Sequence, residues 1–410
     1  MTLNLILFSI MVILTVVLMR KGINIGYVMV INAVFISVIM RIPVSEASGY
    51  MLNGLISERT LNILVLLLMI MILENVMRTS GMIKLMSESL SRLIGDRRYV
   101  AMILPAIIGL LPSAGGARFS CPMVEDILGD SVPNEKKAFI NFWFRHINMY
   151  SFILSSSAIL ASEMIGITTI NFFIRMIPFM FLVTLIGFVY VWRNVPSTVN
   201  DMNSSSTNIA SFSDDFKSFS FNMMPIILLI VLYVILLPYS KYALQIALIA
   251  IIGILFVIKK YTLARVTKTV KEAFNPKLII IIGGVMIFNE VLINSGIMNY
   301  VRDFITQNGI PMVLIYLFFP IIAGMLSGLA VAIVSLTFPV LISLGMGDNI
   351  WVCLMAYAAG HLGAMITPTH ICGMLTADFF NVKISRVLRI SAINMIPMFI
   401  VILIGLIILG

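Results

Sequence analysis

Five residues of this chain put strong polar groups where the surrounding sequence is apolar: Arg118, Arg145, His146, His361 and His370. A charged side chain at the centre of a bilayer costs at least about 2.5–3.5 kcal/mol on insertion scales, so it needs a partner, a wet cavity or a bound ion. Arg118 lies in a stretch, from Leu111 to Ser120, that reads Leu-Pro-Ser-Ala-Gly-Gly-Ala-Arg-Phe-Ser. Pro112 removes a helical hydrogen bond, and Gly115 and Gly116 accept backbone geometry that other residues resist. Irregular backbone in a membrane is tolerated only where protein buries it or where it lines a cavity. A hairpin of two half-helices meets that condition, with Ser113, Ala114, Gly115 and Gly116 at its tip. The second half-helix then offers unpaired N–H groups and a positive dipole end to an anion, beside the Arg118 guanidinium. The competing reading is a proline-kinked packing helix, with Arg118 in a structural ion pair to Glu74 or Glu290.

A second interrupted stretch, 312–345, carries Ser327 and Gly328 in the matching place, without a charge. The two hairpins are therefore unequal, and the first is the expected seat of an anion. Thr367, Pro368 and Thr369 fall inside another apolar run and break it, freeing carbonyls on one side and N–H groups on the other. Such carbonyls suit sodium, while the two threonine hydroxyls and the free N–H groups suit substrate oxygens. In the first half the matching stretch runs from Arg145 and His146 to Ser155, Ser156 and Ser157, a softer break. All three histidines of the chain sit in these two stretches. That placement favours substrate hydrogen bonding or proton coupling over satisfied core histidines.

Glu74, Glu290 and Asp378 are candidate ion-coupling acids, although their positions near helix ends suit solvation or a charge pair equally well. No metal is expected: Cys121, Cys353 and Cys372 are scattered, with no paired-cysteine or HExxH motif. Neither a nucleophile elbow nor a Walker loop is present, so neither an enzyme nor ATP coupling is expected. No cofactor is implied beyond a coupling sodium ion or proton.

These groups must be held by a membrane scaffold. Of 410 residues, 60% are hydrophobic and 11% charged, against about 45–50% and about 25% in soluble domains. That composition excludes a soluble enzyme, a disordered chain and a nucleic-acid partner. The net charge of +9 reads as topology and attraction to anionic membrane lipids. The expected crossings are the apolar runs 2–19, 23–42, 61–78, 137–162, 168–192, 223–238, 242–258, 277–293, 349–379 and 386–409. The first has no basic residues before it and reads as a retained helix rather than a signal peptide. Stretches 79–98, 262–274 and 294–311 read as amphipathic connectors on the membrane surface.

A polar linker on the cytoplasmic side, 194–222, separates a first membrane repeat, 1–193, from a second, 223–410. One offset of 215 residues sets Leu104 and Pro105 on Phe319 and Pro320, His146 on His361, and residues 160–163 on 375–378. The expected fold is all-α and polytopic: two inverted-topology repeats, each with five crossings and a re-entrant helical hairpin. With both termini outside, only Arg41, Arg59, Lys241 and Arg302 face outward. Arg118, Arg145 and Arg175 lie within apolar segments, and every other lysine and arginine falls inside. This is the positive-inside pattern of a multi-pass protein of the cell's inner membrane.

The stretches 111–120, 143–146 (Trp-Phe-Arg-His) and 360–370 (Gly-His-Leu-Gly to Thr-Pro-Thr-His) resemble an uncharacterised prokaryotic membrane family, a domain of unknown function. That family is similar to the ion-transporter superfamily of citrate, gluconate and dicarboxylate carriers. The resemblance implies substrate held between hairpin tips and helix breaks, elevator-type alternating access, and a homodimeric scaffold. It implicates Ser113 to Arg118, Ser155 to Ser157, Ser327, Gly328 and Thr367 to His370. The paired Ser-Asn-Thr motifs of dicarboxylate carriers are lacking, which leaves the coupling ion and solute open. The expected function is secondary active transport of a small organic anion coupled to sodium or protons. The alternative is a cation/proton antiporter in which Glu74, Glu290 and Asp378 titrate.

Overall fold

The computed structural model describes residues 10, 11, 13–15, 17–19, 21–110, 117–196 and 209–409, with the side chains of all but 118, 119 and 209–211. Among these residues every regular element is helical. Five helices are long and apolar enough to cross a bilayer: Val44–Thr79, Thr169–Asn194, Phe212–Leu236, Pro276–Ser295 and Ile384–Leu409. Their packing faces are narrow. Along Ile384–Leu409 the buried positions are Val387, Ser391, Met395, Met398, Ile402 and Leu406, a stripe three or four residues apart. The exposed remainder is apolar too, including Ile393, Ile396, Ile400 and Ile404. A helix that is apolar all round but buried on one stripe has lipid as its other solvent.

The functional centre is carried by α1 (Arg97–Gly109), α2 (Ala117–Leu128), α3 (Asn134–His146), α4 (Ser156–Ile165) and α5 (Thr169–Asn194). Their counterparts are α6 (Met312–Ser327), α7 (Ala330–Ser343), α8 (Ile350–Met365), α9 (Ile371–Phe379) and α10 (Ile384–Leu409). The runs 137–162 and 349–379 are thus not continuous spans. The first breaks into a 3-10 turn, Ile147–Met149, after His146. The second breaks at Pro368, which keeps the residue before it out of helical geometry. Gly328, at φ +60°, turns the chain between α6 and α7 in a conformation that disfavours any side chain.

Contacts recur at the 215-residue spacing. A Cβ on Gly109 would lie 2.1 Å from the Arg145 carbonyl oxygen, and one on Gly324 would lie 2.1 Å from that of Gly360. So α1 crosses α3, and α6 crosses α8, backbone against backbone. Asn148 Nδ2 donates to the Ala106 carbonyl where, in the other half, Gly363 sits against the Ile321 carbonyl.

The halves are interlaced. Ile25–Ile39 and Val44–Ile56 pack on Pro276–Ser295, while Glu58–Thr79 packs on Ala243–Ile258. Gly26 and Gly284 make the first of these contacts with their backbones. One correction concerns the linker. The helix Ile209–Leu236 begins inside 194–222, and residues 197–208 lie outside those described. Its polar start is satisfied by the connector helix Met82–Leu93: Arg92 Nε donates to Asp215 at 2.8 Å, and Ser89 Oγ donates to Ser218 Oγ at 2.8 Å.

Asp96 caps α1, its Oδ1 accepting from the Arg98 backbone N–H at 2.8 Å while Oδ2 lies 3.1 Å from the Arg98 guanidinium. Burial pushes its pKa up, but the bonds and charge of Arg98 outweigh this and hold the carboxyl below its ordinary value. A group held down in this way stabilises the fold above its unfolded pKa and loses that contribution as pH falls through its folded value. Asp96→Ala is expected to cost about 1 kcal/mol at neutral pH. Thermal unfolding midpoints in detergent check this, and the gap to wild type should close on acidification.

Candidate functional site

α3 and α8 are the two most enclosed helices. Every residue from Lys137 to His146 is buried, as is every residue from Val352 to Met365. Each therefore carries its polar groups into the centre of the molecule, and each ends with a histidine in the same hydrogen bond. His146 Nδ1 meets the Phe142 carbonyl at 2.5 Å, and His361 Nδ1 meets the Tyr357 carbonyl at 2.9 Å. A ring whose Nδ1–H donates to a carbonyl keeps Nε2 as an acceptor. That Nε2 is buried in His361 and has no hydrogen-bond partner among the described residues.

The break of the second half reaches the end of α3. His370, the residue before α9, sets its ring 4.5 Å from that of His146 at 80°, with Phe142 edge-on at 5.2 Å. The ligand atoms of His146, His370 and Cys372 lie within 4.8 Å of one another. Arg145, 5% exposed, is within electrostatic reach of Cys372, Cys121 and Glu74, and of both His146 and His370. One turn back along α3, Asn141 Nδ2 donates to Cys121 Sγ at 3.1 Å and to Thr376 Oγ1 at 3.1 Å. α2 and α3 of the first half and α9 of the second therefore meet through polar atoms.

Around this centre the breaks are tied together. Thr367 Oγ1 donates to the Met325 carbonyl at 2.5 Å, Thr369 Oγ1 donates to the same carbonyl at 3.3 Å, and the two hydroxyls are 3.0 Å apart. A Cβ on Gly328 would lie 2.9 Å from the His370 nitrogen, so the turn between α6 and α7 closes on the break between α8 and α9. Ser327 Oγ bonds back to the Ala323 carbonyl at 2.8 Å. In the first half, Ser155 and Ser157 hydroxyls are 3.0 Å apart, and Ser157 reaches Tyr357 Oη at 2.9 Å. Tyr357 Oη donates in turn to the Met149 carbonyl at 2.9 Å. Neither α4, which Ser156 begins, nor α9 has a side chain capping its first turn, so backbone donors remain at both starts.

Of the residues expected from sequence, Arg145, His146 and His370 come together, as do Ser327, Gly328, Thr367 and Thr369. Ser113, Ala114, Gly115 and Gly116 lie outside the described residues, and so does the Arg118 side chain, whose backbone opens α2. Among the coupling acids, Glu74 lies near Arg145, but Asp378 is exposed at the end of α9. Glu290 is hydrogen-bonded within its own helix, to Asn294 at 3.4 Å. No hydrogen bond or ion pair among the described residues links either of these two acids to the centre, and solvent or helix-end groups satisfy them. Cys121, Asn141, Cys372 and Thr376 were not expected in the centre. Lys137, Asn141 and Arg145 at four-residue spacing were a legible sign, because they share one face of a helix; the meeting of Cys372 with His146 had none.

Two imidazoles and a thiol are a donor set for a soft or borderline metal ion. The Arg145 cation opposes a metal ion in the same place and favours an anion, which His370 and the free starts of α4 and α9 can also engage through hydrogen-bond donors.

A family model described as a protein of unknown function (DUF401) matches residues 2–410. A search of curated proteins finds no match. Among solved structures, the crystal structure of the Alcanivorax borkumensis YdaH transporter, titled as revealing an unusual topology, is similar with a TM-score of 0.60. The match covers 88% of this chain and 87% of that one at 17% sequence identity, a likeness of fold.

Proposed function

The chain belongs to the DUF401 family, and on that premise we propose that it is a secondary active membrane transporter of a small, carboxylate-like organic anion, coupled to sodium ions or protons. The observation that carries the reading is Arg145, buried at the meeting of two broken helices beside His146 and His370. A transporter with this fold supports it. In this reading Arg145 receives the carboxylate, His370 and the uncapped starts of α4 and α9 donate to it, and Thr367 and Thr369 fix the neighbouring break.

The finer architecture belongs to the same proposal. Glycine contacts repeated 215 residues apart support two inverted repeats with re-entrant hairpins at α1–α2 and α6–α7. The unequal distribution of lysine and arginine supports an inner-membrane protein with both termini outside. Elevator-type movement, a homodimer and kinship with the ion-transporter superfamily follow the resemblance of its motifs.

A thermal-shift screen of small carboxylates on purified protein, with and without sodium, tests the function. A ligand at 100 times its Kd stabilises by about 2.7 kcal/mol, so a hit raises the midpoint by degrees and should also show counterflow in liposomes. Sodium flux driven by a pH jump, with no carboxylate effect, would replace this reading with the antiporter.

A further inference from the structure

Lys137, Asn141 and Arg145 follow one another along α3, all buried. Facing them are Glu125 and Cys121, one turn apart on α2, and Thr376 and Cys372, one turn apart on α9. Lys137 Nζ bonds to both carboxylate oxygens of Glu125, at 2.7 and 2.9 Å. The lysine side chain is 1% exposed and that of Glu125 is 37% exposed. Next inward, Asn141 holds Cys121 and Thr376, and its own Oδ1 is buried with no partner among the described residues. A polar seam thus leads from a solvent-touching carboxylate to the histidine and arginine centre.

The positions related by 215 residues carry other chemistry. Val352, Ala356 and Gly360 stand where Lys137, Asn141 and Arg145 stand in the first half. Leu336 and Val340 match Cys121 and Glu125, and Ser157 and Ala161 match Cys372 and Thr376. These residues are packed as well: Val352, Ala356 and Gly360 are buried in α8, and Ser157 and Ala161 in α4. The same frame therefore closes with small and apolar side chains. Taking an ammonium and a carboxylate out of water costs several kcal/mol per ion, and well-packed apolar residues are often as stable. Packing does not call for the polar set.

We infer that the seam is the hydrophilic route by which water and small anions pass between the centre and the side of the membrane where α3 begins. Lys137 and Glu125 cap the route, and the matching apolar seam stays dry. The inference rests on the transport reading and gives it unequal approaches, one polar and one greasy.

The native cysteines supply the test. Cys121 lies within the seam and Cys372 at its deep end, while Cys353 bonds to the Met346 carbonyl at 3.2 Å on the apolar side. The full-length protein in sealed vesicles of either orientation is treated with 2-sulfonatoethyl methanethiosulfonate, a small anion that does not cross membranes. A cysteine thiolate attacks the thiosulfonate sulfur, a mixed disulfide forms and methanesulfinate leaves; mass spectrometry of each cysteine follows the product. Cys121, in a Cys372→Ser background, should react at least about tenfold faster from the side of Lys137 than from the other. The same holds for Cys372 in a Cys121→Ser background, and Cys353 should stay unmodified. Glu125→Gln loosens the cap and should speed labelling of Cys121 several-fold, as should Lys137→Met, which keeps the apolar length of the side chain. Equal labelling from both sides, labelling from neither, or no response to both cap variants overturns the inference. Carboxylate binding in the thermal-shift screen alongside any of those results would leave the transporter standing and remove only the seam.

Discussion

Arg145→Gln is expected to abolish carboxylate-dependent stabilisation while the protein still purifies as a folded species. A hydrogen bond to a charged group is worth about 1.5–3 kcal/mol, so affinity should fall by about 10- to 100-fold. The glutamine keeps much of the packing of the long side chain but not its charge, and the nearby Glu74 carboxylate is then left to repel an anion. Arg145→Lys separates charge from geometry. It should retain a weakened response, because an ammonium is a point charge without the two-pronged fit of a guanidinium. Thermal-shift titration of wild type and both variants with the best carboxylate reads all three. An unchanged response in Arg145→Gln would move the anion away from this centre.

Gly109→Ala and Gly324→Ala should be the most damaging small substitutions in the protein. Each new Cβ would lie 2.1 Å from a carbonyl oxygen of the crossing helix, and backbone cannot rotate aside as a side chain can. Overpacking of a well-filled core costs about 1–3 kcal/mol, occasionally more, and a clash with backbone belongs at or above the top of that range. Gly253→Ala is the control. Gly253 lies within Ala243–Ile258 and has nothing within 4 Å of its virtual Cβ, so alanine there should be neutral or stabilise by about 0.5–1 kcal/mol through helix propensity. Size-exclusion profiles before and after heating rank the three. Survival of Gly324→Ala at wild-type stability would mean that α6 and α8 do not touch in this way.

Much of the centre was legible because prolines, glycines and charges are expensive in apolar sequence. The Thr367 to His370 break follows from a proline in a hydrophobic run, and Arg145 from a charge with no solvent. The turn at Gly328 was visible as a glycine beside Ser327 between two apolar stretches. What was not legible depends on distant parts of the chain. Nothing near Cys372 announces that His146 will lie against it, and nothing near Asn141 announces Thr376. The start of the helix at Ile209 was hidden because its polar residues look like linker until Arg92 and Ser89 are seen to pair with them. Asp378 drew attention by type alone, and its exposure at a helix end is a matter of position that sequence does not record.

The interlacing of the halves also sets a timetable for biosynthesis. Ile25–Ile39 leaves the ribosome long before Pro276–Ser295, the helix its Gly26 backbone must press against. At about 5–20 residues per second, synthesis of the intervening chain takes on the order of ten to fifty seconds. Through that interval the early helix sits in lipid with a glycine notch unfilled, and assembly waits on the last third of the translation product.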